Sequence, residues 1–216
     1  LYNLHHVIQG ERSILDILTE GPGGVLVVPG SSGISKLADL GPEARKNVLD
    51  GLEELQQEAA FIVIDTMAGI GQNSIAFAAA ADEVLLITTP EPSAIVDAYA
   101  TAKTIFQVRE DAVIRLVVNL VINEQQARLV AGKLQHVAQA YLKQKLHYFG
   151  YIPRDPHVSR AVMQSYPLLL RFPGAAASQA IEELALRVRN EPVRREKGLP
   201  GFIRRFAQNL GLASTA

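Results

Sequence analysis

The chain turns on FIVIDTMAGIGQNS, residues 61–74, where four apolar side chains run without a break into an aspartate. A continuous apolar run of this length, rich in β-branched residues, reads as a strand buried on both faces rather than one alternating between core and water. Asp65 then stands at the carboxyl end of that strand, and Thr66, Ala68 and Gly69 form a small-residue loop into a helix. Ligands of open α/β sheets bind beyond the carboxyl ends of the strands. A carboxylate there can hold a Mg²⁺ shell through water, and Gly69 lets backbone approach a terminal phosphate. Spacing alone leaves a plainer alternative open, in which Asp65 only caps the following helix.

Working outward, four more runs of the same kind appear: Val25–Pro29, Val84–Thr89, Ile114–Asn119 and His147–Ile152. Between them lie segments with helical spacing. Leu49, Leu52 and Leu55 mark one, Ile95, Ala98, Tyr99, Ala102 and Ile105 a second, and Leu129, Leu134, Val137, Ala138, Tyr141 and Leu142 a third. Strand–helix–strand alternation with such crossovers predicts an α/β fold, a doubly wound, mostly parallel sheet with helices on both faces. Pro42 can open a helix with Glu43 in its first turn, and Gly21–Gly24 and Gly30–Gly33 read as turns. A domain is expected over 1–190, a linker over 191–200 where Pro, Gly and charged residues interrupt the pattern, and an amphipathic helix over 201–216.

Composition bounds the function. With 48% hydrophobic and 20% charged residues, the 216-residue chain can bury the core of one ordinary domain. A net charge of -1 does not hold a protein on a polyanion, so no direct nucleic-acid partner is expected. The absence of Cys excludes disulfides, thiolate zinc sites and cysteine-ligated iron–sulfur clusters, and suits a reducing cytoplasm. No apolar run reaches the roughly 18 residues of a membrane span. The chain begins at Leu1, and its methionines are Met67 and Met163, so it reads as processed, trimmed or fragmentary.

Four stretches, in order, resemble the MinD/ParA family of ATPases with a deviant Walker A loop. Asp65-Thr66-Met67-Ala68-Gly69-Ile70 is similar to the family's switch II, with Met67 where Pro or Ala is usual. VLLITTPEPSAIVDAYATAK (84–103) resembles the strand, loop and helix that follow. LVVNLV (116–121) resembles the strand ending in the Asn that reads adenine, and YFGYIPRDPHVSRAV (148–162) the loop beside the base. The likeness is strongest to the flagellar-number regulators, the FlhG/FleN branch, over residues 2–40, with PEPSA departing from that branch's usual Asp-Glu-Pro-Thr-Ser. The resemblance implies a P-loop NTPase-like fold that uses ATP and Mg²⁺. It makes Asp65 the catalytic and metal-holding carboxylate, through water, and assigns nucleotide contacts to Thr66, Gly69, Asn119, Ile152, Pro153 and Asp155. Read from residues alone, Asn119 is either a base-reading amide or a strand-end cap. Asp97 is either a partner contact or a solvated helix residue.

Members of the family carry a Lys-Gly-Gly-x-Gly-Lys-Ser/Thr loop and a switch I Asp ahead of the stretches matched here, and the domain over 1–190 is expected to lack both. VVPGSSGISKL (27–37) is not that loop, because Ser35 precedes Lys36 and Leu37 follows it. As written, the 216 residues are expected not to hydrolyse ATP.

Near the C-terminus, Leu199, Phe202, Ile203, Phe206, Leu210 and Ala213 fall on one helical stripe, with Arg204, Arg205, Gln208 and Asn209 away from it. With Arg194, Arg195 and Lys197 upstream, the helix reads as a membrane-surface anchor through Phe202, Ile203, Phe206 and Leu210. The alternative is a helix packed on its own domain. The leading expectation is an ATP-switched regulator of flagellar assembly. It would dimerise on ATP, act in the cytoplasm at the inner face of the cell membrane, and engage flagellar assembly or transcription-regulator proteins. Two other expectations stand beside it: a non-enzymatic partner-binding module, and a ParA-type partitioning ATPase, which the placement of basic residues disfavours.

Overall fold

The computed structural model describes residues 2–30, 42–55, 58–67, 69–190 and 198–209. Ala68, most of the Gly30–Lys36 connection, linker residues 191–197, and Leu210 and Ala213 of the terminal stripe lie outside the described residues. In chain order the elements are α1 (Leu4–Ile8), β1 (Thr19–Glu20), β2 (Leu26–Val27), α2 (Pro42–Glu54), α3 (Gln72–Ala80), β3 (Val84–Thr88), α4 (Pro92–Val108), β4 (Ile114–Val121), α5 (Glu124–Val137), β5 (His147–Pro153), α6 (Pro156–Met163), α7 (Leu168–Arg171), α8 (Ala176–Asn190) and α9 (Leu199–Asn209). They fall into two compact units, Leu1–Asp82 with Arg195–Ala216, and Glu83–Arg194.

In the Glu83–Arg194 unit, β3, β4 and β5 form a parallel sheet in that order. Leu116, Val117 and Val118 follow one another in β4 and all are buried, so both faces of the central strand are covered. α4 buries Ala98, Ala102, Ile105 and Phe106, three of them in the expected spacing, whereas α5 buries Ala127, Val130, Ala131 and Leu134 and leaves the expected Leu129 exposed, because its inward stripe lies on a different face. Pro92 opens α4 in the first turn, where its missing N–H costs nothing. Asn123 caps α5 by accepting the Gln126 N–H at 3.0 Å. α8 lies against β5 at Gly150, whose φ is +157°. A Cβ at Gly150 would meet Leu184 Cδ2 at 2.7 Å and Arg187 Nη1 at 3.3 Å. Glycine here is what lets the helix approach the strand.

In the other unit, α9 packs on α3 and α2. Phe202 and Phe206 are buried with Ile8, Val48, Ala76 and Ala80. Phe77 of α3 stacks on Phe206 with ring centres 4.5 Å apart, and Phe206 on Phe202 at 5.6 Å. Polar bonds close the edge of this contact. Asp82 accepts the Gly198 N–H at 2.9 Å and Arg205 Nη2 at 2.7 Å, while Arg205 Nε donates to the Ala80 carbonyl at 2.8 Å. The stripe expected to face a membrane is turned inward here, with Ile203 half-buried.

Two expected parallel strands are corrected. Val25–Pro29 yields only Leu26–Val27, paired antiparallel with Thr19–Glu20 and exposed. The intervening Gly21–Gly24 turn, with Gly23 and Gly24 both at φ +78°, brings the neighbouring chain back on itself, and the local pairing wins. Phe61–Asp65 is not a strand either: residues 61–67 have no regular structure, and Val63 is 89% exposed. A strand exists only through its ladder, and among the described residues nothing is paired with this run. The other three runs appear as β3, β4 and β5.

Gly150→Ala should destabilise the protein by about 1–3 kcal/mol, the usual cost of overpacking a tight contact. Urea denaturation followed by circular dichroism reads this directly, and an unchanged midpoint would show that α8 does not rest on Gly150.

Candidate functional site

The parallel register sets the base end of the site. Asn119 lies opposite Ile152, and Val121 opposite Pro153, so the carboxyl ends of β4 and β5 advance side by side. The Arg154 N–H continues the ladder to the Val121 carbonyl at 2.8 Å. Asn119, Ile152 and Pro153 are half-buried. The structure thus brings together four of the expected residues, Asn119, Ile152, Pro153 and Asp155.

A β-bulge shapes this end. The register shifts between Asn119 and Val121, and the extra residue, Leu120, takes φ +58°. The left-handed region is costly for a non-glycine residue, roughly 1–2 kcal/mol, and such strain is concentrated at ligand sites. The bulge turns the Leu120 N–H onto Asn119 Oδ1 at 2.8 Å. The side-chain oxygen thus has one of its two lone pairs engaged, and the amide nitrogen remains as a donor suited to a ring-nitrogen acceptor. Ile152 and Pro153 supply an apolar flank for a flat base. Sequence reasoning missed this division, since nothing in LVVNLV announces a left-handed leucine.

Asp155 turns out to organise the loop. It caps α6, with Oδ1 accepting the His157 N–H at 2.9 Å and pairing with His157 Nδ1 at 2.8 Å. Its Oδ2 accepts the Ala177 N–H at 3.1 Å, at the start of α8. The side chain is only 5% exposed. The backbone bonds from His157 and Ala177, with the His157 ring beside it, hold the carboxyl at about 2, below its ordinary 3.8. The family resemblance implied only a nucleotide contact for Asp155, although Asp155-Pro156 is an N-cap followed by Pro at the first helical position; nothing in the sequence points to the bond with Ala177. Thr88 is a second residue the sequence did not single out. It is buried at the end of β3, where Oγ1 donates to the Ala94 carbonyl at 3.0 Å and ties the strand to the first turn of α4.

Asp65, Thr66 and Gly69 belong to the other unit. All three are exposed, and Gly69 has φ +98° in the turn before α3, a conformation that favours glycine. Ser74 Oγ donates to the Met67 carbonyl at 3.1 Å across that turn. Among the described residues no group of three His, Cys, Asp or Glu could hold a metal ion. A magnesium ion accompanying a triphosphate needs only one or two carboxylates besides phosphate and water, and Asp65 suits that role alone. Of the terminal-helix residues, Phe202 and Phe206 are buried and Ile203 half-buried; Leu210 lies outside the described residues.

A carboxylate whose folded pKa is depressed stabilises the fold above its unfolded value, and that contribution disappears as pH falls through the folded value. For Asp155 the window runs from 3.8 down to about 2. Asp155→Ala should lower the thermal midpoint at neutral pH, and the gap to the parent should close across that window. A gap that stays constant through it would remove the carboxylate's charge from the account.

No family model matches the sequence. Individual relatives do. The chain is 34% identical over 190 residues to the antiactivator FleN of Pseudomonas aeruginosa, covering 88% of this chain and 68% of that protein. It is 32% identical over 217 residues to the flagellum site-determining protein YlxH of Helicobacter pylori, covering 97% and 72%. It is 26% identical over 214 residues to the septum site-determining protein MinD of Bacillus subtilis, covering 95% and 77%. A three-stranded parallel sheet flanked by helices and likeness over most of each relative lead to one assignment: the chain belongs to the MinD/ParA family of ATPases, in the company of its FleN/FlhG-type members.

Proposed function

We propose that the protein is a nucleotide-switched spatial regulator of flagellar assembly. The observation that carries this reading is the pairing of Asn119 with Ile152 at the carboxyl ends of adjacent parallel strands, where an amide donor and an apolar flank meet. That is a site for a planar heterocycle with an acceptor nitrogen, and adenine fits it. The names of the FleN and YlxH relatives, an antiactivator and a flagellum site-determining protein, support a flagellar role with a transcription regulator or assembly protein as partner.

In this reading ATP is held at the base end by Asn119 and the Ile152–Pro153 loop, which Asp155 positions through α6 and α8. Asp65 orients the attacking water and contributes to the magnesium shell that the phosphates bring. Two subunits associate on ATP and separate after hydrolysis. The 216 residues contain no Gly-Lys-Ser/Thr sequence, the one feature favouring a non-enzymatic partner-binding module. Phosphate release measured on the protein as its gene encodes it separates the two. Asp65→Ala should abolish turnover while leaving the thermal midpoint unchanged, since Asp65 is exposed. Turnover near the parent rate takes Asp65 out of the chemistry, and absence of turnover in the parent leaves the binding module.

The membrane arm of the proposal rests on α9. Undocking it uncovers Phe202 and Phe206, at roughly 1.5–3 kcal/mol for each buried aromatic side chain. Insertion of the same rings into a membrane surface recovers that energy, and a dimer presents two helices, so avidity favours the released state. Flotation with anionic vesicles and ATP should show binding that Phe206→Glu abolishes. Because Phe206 is also a core residue, Ile203→Glu at a half-buried position serves as the second variant. Binding that both substitutions leave intact removes the membrane from the proposal.

A further inference from the structure

We propose that the α6–α7 hairpin is a docking surface for an acidic amphipathic helix of a partner protein. This inference stands apart from the nucleotide reading. Single exposed apolar residues are ordinary, but a contiguous group marks an interaction surface. Val162 and Met163, at the end of α6, are 72% and 78% exposed, and Tyr166, Leu169 and Leu170 follow within the same hairpin, all exposed. Val162 and Met163 contribute little to the fold by burial, while Tyr166, Leu169 and Leu170 are each about half covered.

The hairpin is held rigid by other means. Ser165 takes φ +48°, closing α6 in the left-handed conformation, and the Tyr166 N–H donates to the Ala161 carbonyl at 3.1 Å. Arg171 Nε donates to Gln164 Oε1 at 2.8 Å, tying α7 back to the end of α6. The apolar group is thus presented on a preorganised backbone, which lowers the ordering cost of binding. Met163 is the adaptable element within it.

Charge identifies the occupant. No Asp or Glu lies between Asp155 and Glu182, whereas Arg160 and Arg171, both exposed, flank the apolar residues in sequence. An apolar centre with a basic rim selects an amphipathic helix with apolar anchors on one face and carboxylates beside them. A lipid surface fits less well: polybasic lipid-binding clusters carry about 4–8 Lys or Arg, and this rim has two. A second copy fits less well too, because an isologous contact sets the same patch against itself and brings like charges together.

The probe is a fluorescein-labelled peptide of Leu and Glu, about five helical turns long and amphipathic, with a Leu and Lys counterpart. Anisotropy titrations of the purified protein should show the acidic peptide binding at least about tenfold more tightly than the basic one. Met163→Glu, and separately Arg160→Glu with Arg171→Glu, should each weaken it by about tenfold or more. Circular dichroism checks each variant's fold, and Val162→Glu replaces Met163→Glu should that one unfold. Equal binding by parent and variants, or no binding of the acidic peptide, overturns the proposal. So does Met163-dependent flotation with phosphatidylglycerol vesicles, or a Met163-dependent dimer in light scattering.

Discussion

Burial of β4 between β3 and β5 is the constraint on which the base end of the site depends. Its backbone is paired along both edges, and Ile114, Leu116, Val117, Val118 and Val121 are withdrawn from water. Each such side chain contributes on the order of 1.5–3 kcal/mol when fully buried, comparable with the cost of ordering its own residue. With both edges paired and both faces covered, the strand is held in place by its ladders and by the fit of each side chain to its own packing site. Register is therefore concentrated strain-bearing capacity: the ladder can carry a left-handed Leu120 at its carboxyl end and hold Asn119 where the bulge puts it.

The same physics explains what the sequence made legible and what it did not. Ile114–Asn119 announced a buried strand because apolar side chains on successive residues have no other economical home, and it became one. Phe61–Asp65 carries the same signal, yet residues 61–67 are irregular and exposed. An apolar run states a demand for burial. It does not state which backbone will supply the ladder, and that partner is a non-local fact. Val25–Pro29 failed for the opposite reason, since a glycine turn close by supplied a partner of the wrong sense.

Within the site, legibility followed the range of the interaction. Asp155-Pro156 displays its capping role in two adjacent letters, whereas the Ala177 N–H that completes the carboxylate's environment comes from α8. His157 Nδ1 and both backbone donors leave Asp155 working on the loop that joins β5 to α6. Asn119 was found by its place near a strand end, but only the bulge shows that its oxygen accepts the Leu120 N–H.

Amphipathic spacing in α9 gave one signal with two meanings, because a lipid surface and a protein core ask for the same apolar stripe. What separates them lies far away in sequence: Phe77 on α3, and Asp82, which receives both Gly198 and Arg205. That arrangement has a consequence inside the Leu1–Asp82 unit. α3 begins at Gln72, directly after the Asp65–Gly69 stretch, and its Ala76 carbonyl accepts Asn209 Nδ2 at 3.3 Å while Phe77 stacks on Phe206. A ligand that reorders Asp65–Gly69 can shift α9 only by as much as its affinity differs between the docked and released states. Burial of the two aromatic side chains sets the docking energy such a difference would have to offset, and α3 is the element that contacts α9.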